Sequence, residues 1–184
     1  MRIYTRTGDQ GQTSLYNGDR KPKTDPLFEL LGQIDHLNAQ IGLAISQLHL
    51  DKTKESILKT FDFLTHWPKV QGQLMNLSAI IARAESPEKT PITSDSITHL
   101  EQTIDLLWHN SPPLKNLILP GGSLLGSQLH IIRTEIRQVE IKVLNLNPPN
   151  LNQHHKTYLN RLSDYFFACA RFINHQSQTT ELIW

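Results

Sequence analysis

Cysteine is nearly absent from this sequence: Cys169 is the only one in 184 residues. That excludes an internal disulfide and a thiolate zinc cluster, fits a reducing compartment, and leads to the expectation of a cytoplasmic address. An excess of charge of one sign is also lacking. Eighteen Lys and Arg stand against 17 Asp and Glu, a formal net charge of +1, so bulk attraction to nucleic acid or an anionic membrane is not expected and any anion site must be local. No apolar run approaches the ~20 residues of a membrane-spanning helix, and the opening Met1-Arg-Ile-Tyr-Thr-Arg-Thr-Gly-Asp9 has no apolar core of signal-peptide length. No Gly-Lys-Ser/Thr opens a helix, so any nucleotide site must use an architecture other than Walker A. No His-x-x-x-His carboxylate set occurs, and the nine histidines are scattered. His154-His155 is expected in a loop, and the histidines read as surface or packing residues, not metal ligands. Cys169, with no implied His/Asp partner, reads as core filler and not as a nucleophile.

What remains is helical periodicity. The length suits one domain with a real core, with 1–24 as an N-terminal loop, 25–175 as a helical bundle and 176–184 as a tail. The first segment is polar and turn-rich, with Gly8, Gly11 and Gly18 among Asp, Thr, Ser and Asn. From Asp25, a capping residue followed by Pro26, apolar residues recur at three- and four-residue spacing from Leu27 through Ile34 and Ile41 to Leu48. Ile57, Leu58, Phe61 and Leu64 start a second series. Trp67-Pro68 is expected to break or kink it before Val70, Leu74, Leu77 and Ile81 resume, giving two helical pieces. Residues 86–93 carry two prolines and read as a loop. Ile97 to Leu107 describe the next helix, ending near Asn110-Ser-Pro-Pro113. The turn Pro120-Gly-Gly122 leads into another, with Leu125, Leu129, Ile132, Ile136, Val139 and Val143 inward, ended by Asn147-Pro-Pro-Asn150. The last carries Tyr158, Leu159, Leu162, Phe166, Ala170 and Ile173. No strand series competes, so the expected fold is all-α: an up-down, ferritin-like five-helix bundle.

Within the fourth of these helices His130, Arg133, Arg137 and Glu140 share one face. Two arginines one turn apart repel by a few tenths of a kcal/mol, so an acidic partner chain, a carboxylate on another helix or a polyphosphate would relieve them; the planar guanidinium suits bidentate phosphate contact. A solvated face with an intrahelical Arg–Glu pair explains the spacing equally well. The run Thr5-Arg-Thr7-Gly8-Asp9-Gln-Gly11-Gln-Thr13-Ser14 offers amides for an anion-binding concavity, and Asp9 or Thr13 could approach a nucleotide-borne magnesium ion. Taken alone, this loop reads as an ordinary polar turn. Asp35 and Asn38 in the first helix, and Asn160, Asp164 and Arg171 in the last, interrupt apolar turns and read as buried polar residues that need inter-helix or inter-subunit partners.

Four stretches together resemble the PduO-type ATP:cob(I)alamin (corrinoid) adenosyltransferases. They are Ile3-Tyr-Thr-Arg-Thr-Gly-Asp-Gln-Gly-Gln-Thr-Ser-Leu15, Gly32-Gln-Ile-Asp-His-Leu-Asn38, Leu119-Pro-Gly-Gly-Ser123 with Leu129-His-Ile-Ile-Arg133, Arg137 and Glu140, and Tyr158-Leu-Asn-Arg-Leu-Ser-Asp164. The resemblance implies a five-helix bundle assembled as a homotrimer with ATP sites between subunits. Thr5, Thr7, Gly8, Asp9, Gly11, Thr13 and Ser14 would wrap the triphosphate, Lys23 would reach it, and Arg137, Glu140 and Asn160 would complete the ATP site, with Mg2+ bound through ATP and not by a protein cluster. Arg133, Arg137 and Asp35 would form the catalytic set, Asp35 pairing with Arg133 across the subunit boundary. Leu117, His130, Asp35 and Arg133 would meet the cobalamin substrate. Reduced cobalt is itself the nucleophile on the 5′-carbon of ATP, so the protein need only position ATP, neutralise the leaving triphosphate and make cobalt(I) reachable. The family does the last by holding the corrinoid without its lower axial ligand over an apolar wall.

This sequence departs from the pattern in three places. Leu117 stands where the family usually has Phe, Gln138 follows Arg137 where a second arginine is usual, and His36 follows Asp35 where Glu is usual. A same-fold cobalamin carrier or ATP-responsive binding protein with weak turnover is therefore the alternative, and a helical module for a protein partner is a further one. A reductase and a cobalamin-dependent acceptor enzyme are the partners that adenosyl transfer implies, with no nucleic acid and no membrane.

Overall fold

The computed structural model describes Tyr4 and residues 6–50, 61–83 and 90–184. Thr5, Ile57, Leu58 and residues 86–89 of the 86–93 segment lie outside the described residues. Five helices follow a short hairpin: α1 (Pro26–Leu50), α2 (Phe63–Ile81), α3 (Ser94–His109), α4 (Leu124–Leu146) and α5 (Gln153–Gln176). α1 packs on α2 and α4, and α5 packs on α3 and α4. One apolar cluster, built from the periodic residues of all five helices, fills the interior. Across that core α5 also meets α2, where Tyr158 Oη donates to Gln73 Oε1 at 2.7 Å and Trp67 Nε1 donates to Tyr165 Oη at 3.1 Å. Buried aromatic hydroxyl and indole groups need such partners, and pairing them with each other fixes how the two helices register.

The helix ends follow the expected chemistry. Asp25 accepts from Leu27 N at 2.9 Å ahead of Pro26. Thr93 and Ser96 form a capping box on α3, and Ser123 caps α4 by accepting from Gly126 N. Asn147 ends α4 in the left-handed region, φ 42°, which asparagine tolerates better than most residues.

Three local expectations are corrected. Pro68 does not divide α2; the helix runs through it from Phe63 to Ile81. It lies in the second turn, so its missing N–H removes only the bond to Leu64, while Asp62 caps Thr65 N at 3.1 Å and Phe63, Trp67 and Val70 are anchored in the core. His154-His155 lies in the first turn of α5 and not in a loop: His155 Nδ1 accepts from Asn152 N while Asn152 Oδ1 accepts from His155 N, closing a reciprocal cap. The segment read as pure loop contains β1 (Gln12–Ser14) and β2 (Arg20–Pro22), paired antiparallel with Thr13 opposite Lys21. No helix among the described residues is long and apolar enough to cross a membrane. Cys169 is fully buried, and burial raises its thiol pKa, in keeping with a packing role.

Candidate functional site

α4 carries the cationic stripe. Its apolar positions Ile132, Ile136 and Val139 are fully buried, which turns Arg133, Arg137 and Glu140 towards the outside of the chain. Arg137 is exposed. Arg133 is half-buried, its Nε is buried without a hydrogen-bond partner, and burial followed by the Arg137 charge lowers its guanidinium pKa. Among the described residues neither arginine has an ion pair, and Glu140, the expected intrahelical partner, instead accepts from Asn160 Nδ2 on α5 at 3.0 Å. A solvated face neutralised within its own helix is therefore not what the chain builds. Glu140 and Asn160 line a hollow of about 430 Å³ with Lys156 and Arg161.

His130, one turn before Arg133, is 3% exposed with neither ring nitrogen bonded, and it packs against Phe167 at 5.9 Å. Burial, then the Arg133 charge, lowers its pKa from 6.5 to about 4. His66, whose Nδ1 lies 2.9 Å from Tyr165 Oη, is likewise pushed down to about 4, chiefly by burial. With folded values below unfolded ones, the unfolded chain takes up protons first as pH falls, so stability is lost between the unfolded value of 6.5 and the folded value of about 4. Urea unfolding midpoints should therefore fall from about pH 7 to about pH 4.5, and a His66→Gln/His130→Gln double variant should show a flatter profile. An unchanged slope in that variant would contradict neutral burial of the two rings.

The hairpin gathers the expected phosphate residues. Gly11, at φ +75°, lets the chain turn into β1, and its carbonyl accepts from Lys23 N at 2.8 Å. This brings Lys23 back over Gly8, where an added Cβ would sit 3.2 Å from Lys23 Nζ. Arg20 Nη2 donates to the Thr7 carbonyl at 3.0 Å. Thr13 is half-buried, while Thr7, Asp9 and Ser14 are exposed. Among the described residues no group of three His, Cys, Asp or Glu could hold a metal ion. The hairpin is held at the end of α2 by Tyr16 N donating to the Ala82 carbonyl at 3.1 Å and by an Asp19–Arg83 ion pair at 3.1 Å. Lys23 and the glycines thus sit on one mount, and Arg137, Glu140 and Asn160 on another.

The polar interruptions of α1 and α5 divide. Asp35, Asn160 and Asp164 are exposed in the chain, correcting the expectation that they are buried. Asn38 is half-buried with Nδ2 on the Gln71 carbonyl at 3.3 Å, and Arg171 is 3% exposed. Periodicity marks a polar residue between apolar turns but does not say how far the flanking helix covers it. Gln138 Oε1 accepts from Gln33 Nε2 at 2.6 Å, joining α4 to α1.

Asn174 was missed by the sequence reading. It is fully buried; its Oδ1 accepts from Ser123 N and Ser123 Oγ, both at 3.0 Å, and its Nδ2 donates to the Gly121 carbonyl at 2.9 Å. Gly122 and Gly126 leave it room, since a Cβ on either would fall within 2.3 Å of its amide. The Pro-Gly-Gly-Ser turn is thereby pinned to α5. The strand before that turn is pinned as well, by the tail: Leu119 N donates to Leu182 O at 2.8 Å, Trp184 N to Leu117 O at 3.0 Å, and Ile118 pairs with Ile183. Alternation places Leu117, Leu119, Leu182 and Trp184 on one face of this ladder. All four are exposed, Trp184 the most at 83%, and together they form the kind of apolar patch that marks a binding surface.

Known proteins resemble this chain in sequence and fold. The family model described as cobalamin adenosyltransferase matches residues 3–173. A corrinoid adenosyltransferase of Bacillus subtilis (strain 168) is 40% identical over 178 residues, covering 96% of this chain and 89% of that protein. The human corrinoid adenosyltransferase MMAB is 34% identical over 190 residues, covering the whole chain and 73% of its own length. The PduO protein of Citrobacter freundii is 35% identical, but this chain spans only 53% of it. Among solved structures, an alanine variant of a PduO-type ATP:corrinoid adenosyltransferase from Lactobacillus reuteri, complexed with cobalamin and ATP, superposes with a TM-score of 0.85 at 31% identity, covering 100% of this chain and 99% of that one. The likeness runs through hairpin, stripe and turn alike, and this chain belongs to the cobalamin adenosyltransferase family.

Proposed function

We propose that this chain transfers the 5′-deoxyadenosyl group of ATP to the cobalt of cob(I)alamin, giving adenosylcobalamin and triphosphate. The observation that carries the reading is the α4 stripe: two guanidiniums one turn apart with no ion pair among the described residues, beside a Glu140–Asn160 pair that borders a hollow. Arg137 meets the triphosphate, where charge grows as the carbon–oxygen bond breaks, and Glu140 with Asn160 holds the nucleoside. Gly8, Gly11, Thr7, Thr13, Ser14 and Lys23 cradle the phosphates from the hairpin, with Asp9 beside them. Magnesium fits this donor set only as a guest of the nucleotide, since one carboxylate, Asp9, and one hydroxyl, Thr13, suit an ion otherwise held by phosphate and water. It supplies charge neutralisation on the triphosphate.

Hairpin and stripe stand on separate mounts, which favours ATP sites shared between copies of the chain in a homotrimer. Arg133, with its buried unpartnered Nε, and exposed Asp35 supply complementary charges for such a contact. The corrinoid lies against the Leu117 face with Arg133 at its edge and buried His130 packed beneath that arginine's turn, and a cytoplasmic reductase and acceptor enzyme stand on either side of the reaction. Leu117 in place of an aromatic ring, and Gln138 engaged with Gln33, favour the carrier as second reading. Anaerobic mixing with chemically reduced cobalamin and magnesium-ATP separates the two. The enzyme yields adenosylcobalamin and triphosphate in equal amounts, whereas saturable binding without either product overturns the transferase in favour of the carrier.

A further inference from the structure

The nucleoside grip proposed above pairs a carboxylate, Glu140 on α4, with a carboxamide, Asn160 on α5, and both line the same open hollow. A carboxamide turned over exchanges its donor for its acceptor, so a grip built on one works only if its orientation is fixed. Two charges fix it here. Arg161 Nη1 donates to Asn160 Oδ1 at 2.8 Å, and Asn160 Nδ2 donates to Glu140 Oε1 at 3.0 Å. A guanidinium only donates and an ionised carboxylate only accepts, so turning the amide over would set its NH2 against the first and its oxygen against the second.

Neighbouring residues on a helix do not face each other, yet the Arg161 guanidinium reaches back to Asn160 while Glu101 on α3 holds its Nε at 2.8 Å. This acidic partner offsets the Arg161 charge, whereas Arg137 has no ion pair among the described residues, so Arg161 is the less suited of the two to meet phosphate. Glu101, Arg161, Asn160 and Glu140 thus form one hydrogen-bonded chain from α3 through α5 to α4, and Glu101, at its far end, is not among the residues that line the hollow. We propose that Arg161 is a positioning residue for nucleotide binding: anchored by Glu101, it holds the Asn160 carboxamide with its NH2 towards Glu140 and so sets the donor and acceptor pattern that the nucleoside meets. The inference rests on the nucleotide reading given above.

Calorimetric titration of the full chain with magnesium-ATP tests it without turnover. Arg161→Ala should raise Kd about tenfold, and Arg161→Lys, which keeps a charged donor, should recover most of that loss. In an Asn160→Ala background, where no amide is left to orient, Arg161→Ala should change Kd by less than about twofold. Glu101→Ala should weaken binding about threefold even though Glu101 lies off the hollow. Exposed ion pairs add little stability, so Tm should stay within about 2 °C of the parent throughout. Additive losses in the double variant, or tighter binding in Glu101→Ala, would mark Arg161 as a direct phosphate ligand and overturn the positioning role. Parallel losses of Tm and affinity that Arg161→Lys does not restore would overturn it as mere structural support. Either result leaves the nucleotide reading standing, whereas a parent chain that binds no ATP would sink that reading and the positioning role together.

Discussion

Replacing Arg137 with alanine should lower kcat/KM for adenosyl transfer by about 100- to 1000-fold, the loss expected when a charge-stabilising donor is removed from a reacting centre. Arg137 is exposed and has no ion pair among the described residues, so folding should not suffer, and Tm should change by no more than about 1 °C. The effect should fall mostly on kcat if the guanidinium acts on the departing triphosphate, and mostly on the KM for ATP if it acts on the ground state equally. Anaerobic single-turnover rates with cob(I)alamin, read alongside Tm, distinguish these. A variant with undiminished rate would remove the stripe from the mechanism.

Gly126→Ala should be strongly destabilising. An added Cβ would meet Asn174 Oδ1 at 2.0 Å, and Asn174 cannot retreat: it is 0% exposed and both its amide atoms are bonded to the 121–123 turn. Overpacking of this kind costs about 3 kcal/mol, or roughly 6–12 °C in Tm for a chain of this size. Gly121→Ala is the matched control, because nothing lies within 4 Å of the Cβ it would add; calorimetry should find it within about 0.5 kcal/mol of the parent. Equal losses in the two variants would mean that the Asn174 lock is not what the turn depends on.

Much of this was legible in the residues. Periodicity located α1, α3, α4 and the body of α5, because each buries one apolar stripe in a common core; the spacing also put the arginines on one face, but by itself it fitted a solvated face equally well. What escaped was local or long-range. Strands of three residues are too short to alternate, so β1 and β2 looked like the turns that flank them. Pro68 looked like a break because its cost was visible in the sequence, while the compensation, buried Phe63, Trp67 and Val70, was not. Asn174 looked like one more polar residue near a helix end; its partners lie 51 and 53 residues away, and only the glycines across the gap, Gly122 and Gly126, hinted that something must approach closely. Asp35, Asn160 and Asp164 carried the family pattern but not their degree of exposure, which packing alone decides.

The ladder between residues 117–119 and 182–184 also bears on the order of assembly. Its two strands are separated by all of α4 and α5, so closing it incurs a loop entropy that only the docked helix pair can reduce. Until α4 and α5 have docked, residues 117–119 cannot present the Leu117 face with its second strand. The surface proposed to receive the corrinoid thus forms only on a scaffold whose helix pair has already closed beneath it.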